Sequence, residues 1–266
     1  MLIVHTAAFP EDETALAHAT ALAVRHSARL VSIHACAGPE QRPELPSAGP
    51  LLQRWGFPAD SVAHDRVIHE CCDDTVDTLL DAFRELRPDL VVSATHARSG
   101  VARLLLGSVA ESVARNVGAP TLLLPIGGAG FVQPASGRVD LRRILVPAGS
   151  AAEARRALDV AHLLARGSNV REPEIVLLHV DDGLPLPRVE TPPGSRVTWR
   201  ASAGSLDAVI PAMAQELDVS LVIMATHGHD GFSDVLLGSV TERVLHELER
   251  PLLWVPMTAG TAASGP

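Results

Sequence analysis

A chain of 266 residues is nearly twice the roughly 150-residue prior for one domain, so two domains or one large α/β domain come first. Its 47% hydrophobic content supplies a core, no apolar run reaches the ~18 residues of a membrane span, and a net charge of −9 spread over both halves excludes nucleic acid and anionic membranes as partners. All 22 basic residues are arginine and Tyr is absent, which excludes a P-loop lysine, a Schiff base and a pyridoxal phosphate anchor.

In chain order, short apolar runs predict strands at Leu2 to His5, Leu30 to His34, Arg66 to His69, Leu90 to Ala94 and Thr121 to Leu124. A second series follows at Arg143 to Val146, Glu174 to Val180, Arg196 to Arg200, Leu221 to Ala225 and Leu252 to Val255. Between them, Val76, Leu79, Leu80, Phe83 and Leu86 recur at helical spacing, as do Leu206, Val209, Ile210, Met213 and Leu217. The stretch around Leu51 to Trp55 has room for a short helix, whereas the proline-rich Asp181 to Ser195 reads as a loop. Alternating strands and helices predict parallel sheets flanked by helices.

The two series are copies. Displaced by 131 residues, Leu90 to Pro125 lies over Leu221 to Pro256 without a gap, sharing Ala-Thr-His at 94–96 and 225–227 and Leu-Leu-Gly-Ser-Val at 105–109 and 236–240. Glu111 and Glu242, and Pro120 and Pro251, keep the same register. The duplication places a first domain at 1–126, a linker of Gly-, Pro- and Ser-rich composition at 127–140, a second domain at 141–258 and a tail at 259–266. Cys36, Cys71 and Cys72 suggest no disulfide framework, and no secretory signal precedes Leu2, so a reducing cytoplasm is expected.

The segment from Met224 to Ser239, MATHGHDGFSDVLLGS, resembles the nucleotide motif Gly-x2-Gly-x9-Gly-Ser/Thr of the universal stress protein family. Ile144 to Pro147 and the ending His179-Val180 also resemble that family, so the chain looks like its tandem form. The resemblance implies a doubly wound, five-stranded parallel sheet of order 3-2-1-4-5 in each copy, with ATP or a related adenine nucleotide bound where strands one and four diverge. It further implies a sensor or regulator of the stress response rather than a fast enzyme. A scaffold acting through protein contacts and a slow ATPase or self-phosphorylating protein are the alternatives. By resemblance, Gly228, Gly238 and Ser239 would cradle phosphates, Ala148 and Val180 would offer backbone contacts to the nucleoside, and Val240 and Ala225, the latter at the first glycine position, complete the cofactor-binding set. The motif has a physical basis: glycines admit phosphate to backbone N–H groups, and Gly-Ser at a helix start presents free N–H groups and a hydroxyl. Ser108 to Glu111 and Ser239 to Glu242 also read as capping boxes, which stabilise a helix start with or without ligand.

The first copy departs further from the motif, with Ala94 and Ala97 at the early glycines, Ala7 where relatives have Asp, and only Gly107-Ser108 kept; the second copy has Gly149 at the Asp position. Nucleotide is therefore expected in the second copy alone. His5, His34, His69, His96 and the three cysteines end strands or follow them in the first copy, and the soft donors His5, His34 and Cys36 form a candidate zinc cluster. His34 and His179, and His96 and His227, recur in both copies and also read as scaffold; only His5 and His69, matched by Pro147 and Arg200, are special to the first. Asp73 and Asp74, and Glu11 to Glu13, read as helix starts, and no catalytic constellation is apparent. Ser99 and Ser233 lie in the motif loops as phosphorylation candidates. The last strand of each copy is short, apolar and at an edge, so an internal pseudo-dimer is expected in which these strands pair antiparallel, leaving room for a further homodimer.

Overall fold

The structure, a computed structural model, describes residues 1–7, 13–38, 40, 42–70, 74–95, 107–180, 186–190, 196–227, 243–245 and 247–257. The first half contains β1 (Leu2–Thr6), α1 (Glu13–His26), β2 (Arg29–Cys36), α2 (Gly49–Arg54), β3 (His64–Glu70), α3 (Thr75–Leu86), β4 (Leu90–Thr95), α4 (Gly107–Asn116) and β5 (Thr121–Pro125). The second contains β6 (Arg143–Pro147), α5 (Ala151–Arg166), β7 (Glu174–Val180), β8 (Arg196–Ser202), α6 (Leu206–Glu216), β9 (Leu221–His227) and β10 (Leu252–Met257). All ten expected strands are present, most extending a residue or two beyond the apolar run because the ladder is made by backbone groups and continues past the apolar side chains. Asp74 caps α3 by accepting from the Val76 amide at 2.6 Å, as its place before the helix suggested.

One ten-stranded sheet runs β3-β2-β1-β4-β5-β10-β9-β6-β7-β8. Each half keeps the order 3-2-1-4-5 with parallel pairing, and the halves join antiparallel where Thr121, Leu122 and Leu123 of β5 meet Trp254, Leu253 and Leu252 of β10. The antiparallel pairing expected of the two last strands is thus present and joins the five-stranded sheets into one, because each last strand is the edge on which the other completes its hydrogen bonds.

Residues alternate across the sheet, so each strand feeds two cores. On one face, Ile3, Leu30, Leu90 and Leu122 share a single core with Ile144, Ile175, Leu221 and Leu253 of the second half, under α1 and α5. The other face carries one cluster under α3 and one under α6. There α4 spans the join, with Val113 in the first half's core and Ala110 and Ala114 among Val244, Leu245 and Leu248 of the second. That spacing of three and four residues brings both contacts onto adjoining stripes of the helix.

The segment 127–140 is not a free tether. Phe131, Val132, Val139 and Leu141 are buried in the shared core, and Val132 pairs with Val139 in an isolated antiparallel bridge. His18 of α1, fully buried, receives the Val132 amide on Nε2 at 3.1 Å and donates from Nδ1 to the Thr14 carbonyl at 2.7 Å, with its ring edge-on to Phe131 at 4.7 Å. Accepting on Nε2 fixes the neutral ring with its proton on Nδ1. Trp55 donates from Nε1 to the Pro134 carbonyl at 2.8 Å, and Arg25 reaches Asn169 beside α5 at 2.8 Å. The glycines are therefore required for close approach. A Cβ on Gly130 would lie 2.2 Å from the His18 ring, and one on Gly137, at φ +66°, would lie 2.4 Å from the Trp55 ring. Gly130→Ala and Gly137→Ala should each lose about 1–3 kcal/mol in denaturant unfolding, the usual cost of overpacking. Gly38→Ala, with nothing within 4 Å, is the neutral control.

Candidate functional site

The carboxyl ends of the strands define the crevice, and the halves differ there. In the first half, β1 and β4 pair through four residues, from Ile3↔Leu90 to Thr6↔Ser93, with Thr6 donating to Ser93 Oγ at 2.7 Å. In the second half, β6 and β9 pair only at Ile144↔Leu221 and Leu145↔Val222, although β9 continues beside β10 to His227↔Met257. The reason is local. The Ala148 amide points at β7, donating to the Leu178 carbonyl at 2.9 Å, so by alternation the preceding amide would face β9. Pro147 has none. The second half's strands one and four thus separate earlier, at the topological switch point where open α/β sheets bind ligands.

Ala148 is buried at the end of β6, where its carbonyl accepts from His179 Nδ1 at a long 3.4 Å. Val180 ends β7 opposite Ser202, and Ala225 lies buried in β9 opposite Val255. Gly228, Gly238, Ser239 and Val240 lie outside the described residues, as do Ala97, Ser99 and Ser233. In the first half the backbone of α4 begins at Gly107, where the sequence places a helix start. Just past β6, Ser150 caps α5 by accepting from the Glu153 amide at 3.2 Å, while one carboxylate oxygen of Glu153 takes the amides of Ser150 at 3.0 Å and Gly149 at 2.9 Å. This capping box fills the anion site of α5 with the chain's own carboxylate. It was missed in the sequence, though Ser-x-x-Glu stands there plainly.

The candidate zinc cluster is not brought together. Among the described residues no three His, Cys, Asp or Glu side chains converge as metal ligands. Alternation puts His5, His34 and Cys36 on one face, but each donor is turned to the protein. His5 Nδ1 meets Ser32 Oγ at 3.0 Å, His34 Nδ1 donates to the Ala7 carbonyl at 2.6 Å, and Cys36 Sγ points to the Gly38 carbonyl at 3.5 Å. His69 stands two residues beyond Val67 and so shares its face, against the core under α3 and opposite to His5, His34 and Cys36. Cys71, Cys72 and His96 lie outside the described residues. The reading of His34 and His179 as scaffold agrees with the geometry, since both donate to the carbonyl just past strand one.

The register also corrects the matching of the copies. His5 pairs with Ser32 and Val146 with Leu177, while Ala7 and Ala148 donate equivalently to Ile33 and Leu178. His5 therefore corresponds to Val146 and not Pro147, Ala7 corresponds to Ala148 and not Gly149, and His69 corresponds to Ser202 and not Arg200. The ungapped match begins at Leu90, and unequal loops before it shift the earlier strands by different amounts.

A polar row that sequence reading overlooked crosses the first half. The Ala48 amide donates to His64 Nδ1 at 3.0 Å, so His64 carries its proton on Nε2 and donates to Ser32 Oγ at 2.9 Å, leaving the Ser32 hydroxyl to donate to His5 Nδ1. His5 and Ser32 are fully buried. Burial, reinforced by His5 and Arg66 and opposed by Asp65, pushes the His64 imidazole down to about 4. The equivalent row in the second half is Val146, Leu177 and Val197, all apolar.

A Rossmann-like half is thus repeated about a shared edge, with a switch point between strands one and four in each. The model of the universal stress protein family matches residues 2–125 and 186–256. The chain belongs to that family. A universal stress protein from Archaeoglobus fulgidus DSM 4304 is similar to it in fold, with a TM-score of 0.64 at 15% identity over 97% of each chain. A functionally unknown protein from Pseudomonas aeruginosa PAO1 gives a TM-score of 0.60 at 15% identity, over 96% of this chain and 92% of that one. No curated protein matches the chain. Among the described residues, no helix of this family member is long and apolar enough to cross a membrane. Ser150→Ala should cost about 1 kcal/mol in chemical unfolding through loss of the cap. A loss near zero would show that the Glu153 carboxylate alone holds the start of α5.

Proposed function

We propose that the second half binds an adenine nucleotide, ATP or a relative, in the crevice between β6 and β9, and that the protein acts in the cytoplasm as a stress-response sensor or regulator. The observation that carries this reading is the early end of the β6–β9 ladder, whose last pair is Leu145↔Val222 ahead of Pro147, with the family motif starting in the last residues of β9. In this reading Gly228, Gly238 and Ser239 cradle the phosphates through backbone N–H groups, with Ala225 and Val240 as further binding positions and no lysine needed. Val180 and the Ala148 carbonyl face the nucleoside; the Ala148 amide is already committed to Leu178. The phosphates fall to the motif loop and not to α5, because Glu153 already holds the amides at that helix start. The same carboxylate favours a second reading, in which the crevice is closed scaffold and the protein works through protein contacts.

Mass analysis of small molecules released on denaturing the purified protein separates the two. Adenine nucleotide near one equivalent per chain supports binding, and none supports the scaffold. Gly238→Trp should abolish retention while Gly107→Trp leaves it unchanged; equal loss from both would assign the ligand to both halves. Pro147→Thr restores the amide that Thr6 provides in the first half. It should narrow the crevice and weaken nucleotide binding about tenfold or more by calorimetry, the equivalent of about 1.4 kcal/mol.

A further inference from the structure

The two halves form an internal comparison, because the same fold carries a polar row in one and an apolar row in the other. At three register-equivalent positions, His5, Ser32 and His64 stand where the second half has Val146, Leu177 and Val197. Hydrophobic side chains thus satisfy this place in the sheet. A buried polar row there is costly unless every member is hydrogen-bonded, so its geometry reflects a specific use.

The outer end of the row fixes a segment and not a strand. His64 accepts the amide of Ala48, the residue that leads into α2. Two more side chains of β3 hold the same stretch: Arg66 donates to the Leu45 carbonyl at 2.9 Å, and Glu70 pairs with Arg42 at 2.5 Å. Leu45, Ala48, Leu51 and Leu52 are buried beneath this lacing. The segment follows β2 and so starts from the carboxyl edge, where the first half's crevice lies. Of these three ties, the one to Ala48 needs a bare ring nitrogen. An imidazolium has two N–H groups and no acceptor, and would set N–H against N–H.

The geometry points to an acid-released latch, in which protonation of His64 frees the segment 42–55 from β3 on the first half of the protein. Ser32 and His5 hold the tautomer that keeps Nδ1 bare. The charged groups around the ring are Arg66 and Asp65 of β3, with Asp65 engaged by Arg29 of β2 at 2.5 Å; β1 contributes His5. On α2 and α1, Arg54 and Glu13 pair with each other at the surface. Since the folded ring resists protonation down to about 4, the unfolded chain takes up the proton first. Stability contributed by the neutral ring is fully present above about pH 6.5 and is lost as the pH falls toward 4.

Amide hydrogen exchange on the full chain tests the latch, with each rate divided by the intrinsic chemical rate at its pH. Between pH 7 and pH 4, peptides spanning 42–55 should exchange about tenfold faster, while α5 keeps its protection. His64→Gln retains a donor and an acceptor without titrating, and should remove most of that acceleration; what remains belongs to the Glu70–Arg42 pair. Equal acceleration in α5, or unchanged acceleration in His64→Gln, would overturn the proposal. If His64→Gln does not fold, nitrogen NMR of the wild-type imidazole decides: a proton on Nε2 and titration well below 6.5 support the latch, and a proton on Nδ1 or titration near 6.5 refutes it.

Discussion

The exposed edge of a parallel sheet is the constraint from which this architecture follows. A five-stranded half ends in a strand whose outer amides and carbonyls need hydrogen-bonding groups, and β5 and β10 meet that need for each other. Three register pairs are few for holding two halves together. The join is held mainly by what covers it: on one face the segment carrying Phe131, Val132 and Val139, on the other α4 against Val244, Leu245 and Leu248. Covering the seam from both sides adds to a short ladder a continuous core to which both halves contribute.

The fold was largely legible because strand period, helical period and duplication are sequence-local signals. Val76 to Leu86 shows its apolar stripe without reference to anything else, and the ungapped 90–125 match states the repeat directly. The packing of the linker was not legible. Gly130 and Gly137 have the composition of a flexible tether, and only the His18 and Trp55 rings beside them show that the glycines are there for lack of a Cβ. The same limit applies to His18, which reads as one more polar residue in an alanine-rich helix until the Val132 amide is seen on its ring.

At the candidate site, residue type was read more successfully than geometry. His5, His34 and Cys36 do share a face, as alternation requires, yet sharing a face says nothing about where ring nitrogens point. A nearby backbone carbonyl or serine hydroxyl is a hydrogen-bonding group available without ordering a third ligand, and each of the three donors has taken one. The row through His64 was hidden for the opposite reason. Its members are 27 and 32 residues apart along the chain, and only the β1–β2–β3 register makes them neighbours. The off-by-one matching of His5 to Pro147 concealed the contrast with Val146, which a correct register makes plain.

The duplication has left two sheets of one topology with different carboxyl edges, and the differences are of opposite kinds. Thr6 continues its ladder to β4 and adds a hydroxyl bond to Ser93, while Pro147 at the equivalent place withholds an amide and lets β6 part from β9. The first half is thereby closed by hydrogen bonds where the second is open for want of one. Polar groups in the first half are directed sideways, through His5, Ser32 and His64 to the lead of α2, and away from the switch point. The second half fills those positions with the apolar Val146, Leu177 and Val197, and the polar side chains of His179, Ser150 and Glu153 at this edge are bonded to its own backbone. The carboxyl edges can differ in this way because the seam fixes the halves to each other whatever side chains stand there, so each edge is free to diverge without loss of the sheet.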